Sequence, residues 1–300
     1  MEKQKSSMQV PHIRQLPKNM TERLMLSPSI ITLAAISLFP TLYLFYISFF
    51  DFTMSVNNPT FVGFSNWIRM LKSSTFWSSW GRTVYIAGIG ILVQVLLGIG
   101  IALLIYSISK GQNLLLTLCM LPVFVAPIVA GLLGRFLLNS TYGLYSWILS
   151  FFGYKGEIFA STAGAVVGII AIDVWEWTPL IMMIVYSGLQ SMDVEVIEAA
   201  TIDGTRYIQK LRYIILPLIS PVIMVAFLIR LMDILRYVDT IKIITEGGPA
   251  DATKTAGYHL MEVAFRFQNF GQAAVLGIIM IIIISLLSRL FIKFMGKGEM

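Results

Sequence analysis

The sequence predicts an all-α membrane protein with six transmembrane helices, and three observations carry that prediction. Hydrophobic residues make up 57% of the 300 positions and charged residues only 13%, about half the charged share of an average soluble domain. Six apolar segments, 26–50, 83–107, 114–137, 162–187, 217–237 and 271–292, are long enough to cross a hydrocarbon core of ~30 Å. Lysine and arginine are about twice as dense on one set of alternate inter-span segments as on the other, as topology determinants should be.

The first 25 residues are polar and carry Lys3, Lys5, Arg14, Lys18 and Arg23. The apolar run after them is too long for a signal-peptide core and has no small-residue cleavage site behind it, so it reads as a retained first span. The basic-rich set consists of this tail, 108–113, 188–216 and the end of the chain from Arg289. By the positive-inside rule both termini are expected in the cytoplasm. The net charge of +6 is spread over short connectors rather than gathered in a patch, which fits a lipid-bilayer partner and no nucleic acid. No internal repeat or linker divides the chain. The expected organisation is a tail over 1–25, one membrane domain over 26–292 and a second tail over 293–300.

Cys119 is the single cysteine, and His12 and His259 are far apart, so no disulfide or metal motif is present. Pro40, Pro122, Pro127 and Pro179 fall inside predicted spans and read as kinks or packing features. Gly88, Gly90, Gly98 and Gly100 in the second span read as close helix packing. Gly247-Gly248-Pro249 reads as a turn.

The segment 188–216 is longer than a plain connector. Asp193 can cap a helix whose first turn holds Glu195, where the helix dipole favours acid. Asp203-Gly204 is a turn signal, with glycine free to take the left-handed conformation that ends a helix. Thr205 can cap a second helix, and Pro217 suits the first turn of the fifth span. Two helices at a membrane surface need something to pack on. Lipid is one reading; a soluble partner is the other. The acids Asp193, Glu195, Glu198 and Asp203 would be repelled by anionic headgroups, and the small side chains of Ala199 and Ala200 allow close approach, both of which favour a protein.

Glu198-Ala199-Ala200, then Gly204, then Ile214 and Leu216-Pro217 match at every fixed position the EAA motif of permease subunits of bacterial ABC importers, and the sequence resembles that family. The resemblance implies the ABC importer type I permease fold, with 188–216 as a cytoplasmic two-helix coupling loop. It implies that Glu198 faces a separate ATPase and that Gly204 makes the turn. It also implies the partners: two cytoplasmic ATPase subunits that use ATP and Mg, a homologous second permease and an extracytoplasmic solute-binding protein. This chain itself is expected to bind no cofactor.

Asp173-Val-Trp-Glu-Trp-Thr-Pro179, Arg230 to Asp239, Thr245-Glu-Gly-Gly-Pro249 and the 135–154 stretch resemble the carbohydrate branch, of maltose-transporter type, over about residues 25–295. Gly134, where many relatives have tryptophan, and a first external loop without a large extra domain are departures. They speak against maltose itself rather than against the branch.

Ionisable residues in a span cost about 2.5–3.5 kcal/mol on insertion scales, and so usually face a protein interior or a watery path. Asp173 and Glu176 lie in span four; Arg230, Asp233, Arg236 and Asp239 follow one another in span five, three residues apart. One reading is mutual neutralisation, as Arg230–Asp233 and Arg236–Asp239 pairs. The other is a polar surface for a hydroxyl-rich solute, with Trp175, Trp177 and Tyr237 as aromatic faces. Carried over by landmark from the maltose permease, the pathway positions are Asp173, Glu176, Trp177, Leu180, Arg230, Asp233, Ile234 and Tyr237. Arg230 leaves room for an acidic or phosphorylated solute.

No phosphate-binding glycine loop, nucleophile elbow or catalytic carboxylate pair is present, so the chain reads as a non-catalytic subunit. An ion-coupled secondary transporter is the competing class. It would explain charged spans but not the acidic two-helix loop, and it predicts inverted repeats.

Overall fold

The computed structural model describes residues 18–54, 58–153 and 156–295. Most of the expected N-terminal tail, with Lys3, Lys5, His12 and Arg14, and the last five residues of the expected C-terminal tail lie outside the described residues. The chain divides into two compact units, Met1–Tyr46 and Ile47–Met300.

The first unit is the helix α1, Lys18–Ile47, which passes one residue into the second. Three of its hydroxyls are satisfied along the helix itself. Thr32, Ser37 and Thr41 each donate to the carbonyl four residues back, at 2.7–2.8 Å, as a hydroxyl in an apolar helix must where water is scarce.

The second unit opens with a two-stranded antiparallel hairpin, β1 (Phe50–Asp51) and β2 (Thr60–Phe61), followed by α2, Ser65–Lys72. The hairpin is a minor addition to an all-α fold; its strands are too short to show a period in the sequence. Next comes α3, Ser74–Ser107. It starts earlier than the apolar stretch because Ser73 caps it, accepting from the Phe76 amide at 3.4 Å. Its first turns are rich in serine and threonine, so an apolar-length criterion misses them.

The predicted third span is not one straight helix. It comprises α4 (Gln112–Met120), a 3-10 turn at Leu121–Phe124 and α5 (Pro127–Leu137), bent by 93°. The prolines explain the break. Pro122 sits at the start of the 3-10 turn, and Pro127 forces Ala126 to an extended ψ of 139°, since the residue before proline avoids the helical region. Pro122 and Pro127 are thus helix starts rather than kinks within a span. Among the described residues five helices are long and apolar enough to cross a membrane, and a sixth crossing requires the bent pair to count as one.

After α6 (Leu144–Phe151) come α7 (Thr162–Gln190), α8 (Val194–Ile202) and α9 (Tyr207–Lys210). A π-helical turn at Leu211–Ile215 then joins α9 to α10, Leu216–Ile234. The short α11 (Asp239–Ile244) and α12 (Ala256–Met261) precede α13, Phe270–Met295. One continuous apolar helix therefore runs from Tyr207 through Pro217 to Ile234. The wider π turn immediately ahead of Pro217 accommodates a residue that has no amide to donate.

α3 and α7 form the central pair. A side chain at Gly98 would meet Ile181 Cγ2 at 2.8 Å, so glycine there permits the close approach. Gly88 and Gly100 have open space around them among the described residues. One apolar cluster, including Ala102, Ile105, Met182, Val185, Leu189 and Ile219, joins α3, α7 and α10 near the α8 end. A second, including Met70, Phe76, Trp80, Val263, Ala273 and Leu276, joins α2, α3 and α13 at the opposite end.

Candidate functional site

Two groups of predicted residues come together, one in the segment that links α7 to α10 and one between the helices α3, α7 and α10. The first is the loop. Asp193 caps α8 by accepting from the Glu195 amide at 3.0 Å. Gly204 takes φ +72°, the left-handed geometry that the Asp-Gly signal predicts. Thr205 acts differently from the expectation. Its hydroxyl donates back to the Ala200 carbonyl at 2.5 Å, beside its own amide at 3.2 Å, so that both close the end of α8. Gln209 covers the start of α9, its Oε1 accepting from the Arg206 amide at 3.0 Å. The Lys210 ammonium donates to Thr201 Oγ1 at 2.6 Å, clasping α8 to α9.

Ala200 is buried and Ile197 packs against the α3–α7–α10 cluster, so α8 is seated on the helices it connects. Glu198, Ala199, Asp203 and Gly204 are exposed, Ile214 and Leu216 are half-buried, and Pro217 is exposed. Two apolar residues that sequence reasoning did not single out stand clear at the turn: Ile202 is 86% exposed and Ile208 73%. Their signal was present, since an isoleucine on each side of an Asp-Gly turn has no core to enter.

The second group surrounds Arg230, which is fully buried. Its guanidinium is ion-paired to Asp173 of α7 and to Asp233 one turn on in α10. Its Nε donates to Gln94 Oε1 of α3 at 3.0 Å. Gln94 Nε2 in turn donates to Asp173 Oδ2 at 2.6 Å and to the Asp173 carbonyl at 3.1 Å. The guanidinium carbon lies 5.0 Å from the centre of the Trp177 ring, within cation–π range. Spans two, four and five are thus tied at one polar point.

Glu176 is also fully buried, and neither of its carboxylate oxygens has a hydrogen-bond partner among the described residues. Ile234 is buried, while Leu180 and Tyr237 are half-buried. Arg236 and Asp239 do not join the cluster. α10 ends at Ile234, Asp239 begins α11, and Arg236 Nε donates to the Met232 carbonyl at 3.1 Å instead of pairing with Asp239. The run of charges at intervals of three outlasts the helix that would have aligned it. Gln94 carries no formal charge and so does not stand out among the ionisable residues of the spans, yet a glutamine buried in an apolar helix is the same kind of signal.

A bundle of apolar spans, carrying a structured surface loop on two of them and a buried charged cluster where those two meet a third, has the parts of a solute-translocating membrane component. The chain belongs to the family of binding-protein-dependent transport system inner membrane components, which its residues 94–298 match. It is 30% identical over 277 residues to the trehalose/maltose transport system permease protein MalF of Thermococcus litoralis, covering 92% of each chain. It is 28% identical over 284 residues to the sn-glycerol-3-phosphate transport system permease protein UgpA of Agrobacterium fabrum, covering 94% of this chain and 96% of the relative. Its fold is shared with a chain in the crystal structure of a bacterial ABC transporter involved in the import of the acidic polysaccharide alginate. There the TM-score is 0.79 at 19% identity, over 93% of this chain and 96% of the other.

Proposed function

We propose that this chain is the permease of an ATP-driven importer that carries a sugar or sugar-like solute across a bacterial inner membrane. It works with a homologous second permease, two cytoplasmic ATPase subunits and an extracytoplasmic solute-binding protein. Both termini and the 188–216 loop face the cytoplasm in this reading, as the density of basic residues requires. The single observation that carries it is the loop: a complete EAA motif folded as two capped helices around Gly204 and seated on α7 and α10. Exposed Glu198, Ala199 and Asp203, with Ile202 and Ile208 beside them, form the surface offered to the ATPase.

Asp173, Glu176, Trp177, Leu180, Arg230, Asp233, Ile234 and Tyr237 are proposed to line or control the solute path. The Arg230 guanidinium already holds two carboxylates and a glutamine, which favours a neutral hydroxyl-rich solute over a phosphorylated one, since a phosphate needs a free guanidinium. The trehalose/maltose relative supports the same class.

The experiment is co-purification with the cognate ATPase from membranes, comparing the native chain with Gly204→Pro and Glu198→Lys. Both variants should insert in the membrane and lose the ATPase. Retention of the ATPase by both would overturn the assignment of the loop. Identifying the solute bound by the cognate binding protein, and finding that it stimulates ATP hydrolysis by the assembled complex, tests the sugar class separately.

A further inference from the structure

α2 carries a surface that the transport reading leaves unexplained. At about 100° per residue, its eight residues and the preceding Phe64 sort into three sectors. Asn66 and Met70 share the buried sector: Met70 enters the cluster with Phe76, Trp80 and Val263, and Asn66 Nδ2 donates to the carbonyls of Ser48 and Phe50 at 3.0 and 2.9 Å. Phe64, Ile68 and Leu71 fall within an arc of about 60° on another side, and they are 65%, 53% and 46% exposed. Arg69 and Lys72 lie beyond that arc, also exposed.

The position of α2 along the spans says what it meets. Through Met70 it packs on Phe76 and Trp80, in the first turns of α3, and on Ala273 and Leu276, in the first turns of α13. Those turns are the ends of α3 and α13 opposite the 188–216 loop, and the ends of a span are where hydrocarbon gives way to headgroups. Trp77 is exposed beside it, its Nε1 donating to the Leu71 carbonyl at 2.9 Å, and Phe267 is exposed just ahead of α13. Tryptophan and other aromatic side chains at a span border, with an apolar stripe flanked by arginine and lysine, are the composition of a helix lying in the membrane interface.

We propose that α2 is an interfacial anchor. Its Phe64–Ile68–Leu71 stripe inserts at the acyl boundary on the side of the membrane opposite the 188–216 loop, while Arg69 and Lys72 engage anionic lipid phosphates. The anchor fixes the depth at which α3 and α13 sit.

The test uses the assembled transporter in phosphatidylglycerol–phosphatidylethanolamine vesicles, with Cys119→Ala as background. An environment-sensitive fluorophore is attached at Ile68→Cys or, if that variant does not assemble, at Leu71→Cys. Glu246→Cys, on an exposed loop, is the control. Spin-labelled lipid should quench the α2 label strongly and the control weakly, with iodide doing the reverse. Equal iodide quenching at both positions would overturn the proposal. So would a label shielded from both quenchers, which would mean that a protein covers the stripe. Replacing phosphatidylglycerol by phosphatidylcholine should weaken lipid quenching at α2, and Arg69→Gln/Lys72→Gln should abolish that difference. No dependence on anionic lipid in the native pair would overturn the role given to the two basic residues.

Discussion

The Arg230 guanidinium of α10 is ion-paired to the Asp173 carboxylate of α7 with both side chains shut off from solvent. Removing Arg230 leaves Asp173 charged and buried without its neutraliser, and removing Asp173 leaves buried Arg230 with only the half-exposed Asp233. Arg230→Met or Asp173→Leu should each cost roughly 3–5 kcal/mol, read as a large fall in Tm in detergent or as loss of the chain from membranes. The double variant Arg230→Met/Asp173→Leu should be less damaging than the sum of the singles. Additive losses would show that the two groups are not coupled.

Gln94 bridges these two groups from α3, so its effect should be graded and polar. Gln94→Leu keeps much of the bulk but strands Arg230 Nε and Asp173 Oδ2, costing about 1–3 kcal/mol for the unsatisfied buried groups. A thermal shift assay on Gln94→Leu beside Gln94→Asn checks this, with the shorter amide restoring part of the loss if polarity rather than volume matters.

These two residues also mark how much of the molecule could be read in advance. The apolar runs gave five crossing helices almost directly, because lipid exposure demands an uninterrupted stretch. The loop at 188–216 was legible down to the cap at Asp193 and the turn at Gly204, because both are local chemistry. The broken third span was harder: Pro122 and Pro127 were visible, but not that two breaks five residues apart would turn the chain by 93°. Which charges meet was not legible either. Asp173 and Arg230 are 57 residues apart and Gln94 is 136 residues from Arg230, and only the packing of three helices brings them together. The regular spacing of Arg230, Asp233, Arg236 and Asp239 misled, since it assumed a helix that stops at Ile234.

Glu262 holds two cations of different standing, Lys254 at 2.9 Å on one oxygen and Arg266 at 2.9 Å on the other. Its side chain and that of Lys254 are largely buried, whereas Arg266 is mostly exposed. Glu262→Gln should therefore destabilise by several kcal/mol, roughly 3–5 if Lys254 stays charged. Arg266→Gln should cost no more than about 1 kcal/mol. Chemical denaturation of the two variants in parallel measures the contrast.

His259 supplies a pH dependence. Burial, reinforced by the nearby Lys254 ammonium, holds its pKa below the ordinary 6.5, against the opposing pull of Glu262 and Asp251. The unfolded chain therefore takes up this proton more readily than the folded one, so acid favours unfolding. The stabilisation is fully present above about pH 6.5 and declines as the pH falls from there through the depressed value. Tm measured from pH 7.5 down to 5 should drop more steeply for the native chain than for His259→Gln, which has no proton to gain. Parallel curves would remove His259 from the account.

Gly204 at φ +72° tests the turn by strain alone, as nothing lies within 4 Å of an added side-chain carbon. Gly204→Ala should cost about 1 kcal/mol, the ordinary penalty for a left-handed alanine. It should leave the chain inserted while slowing solute-stimulated ATP hydrolysis by the assembled complex. Unchanged hydrolysis rates would mean that the turn can relax without consequence.

The helix that starts at Tyr207 and passes through the π turn to Ile234 gives the loop a mechanical arm. From Tyr207 to Arg230 the rod is about 35 Å long at 1.5 Å per residue. A rod transmits torque as well as thrust. A few degrees of tilt imposed on its loop end would sweep Arg230 sideways against Asp173 and Gln94, which belong to other helices. Asp233 would travel with it, one turn along the same rod. The partners of Arg230 thus divide into one that rides with it and two that it can be levered away from, and the work of separating them is set by how far the loop is pushed.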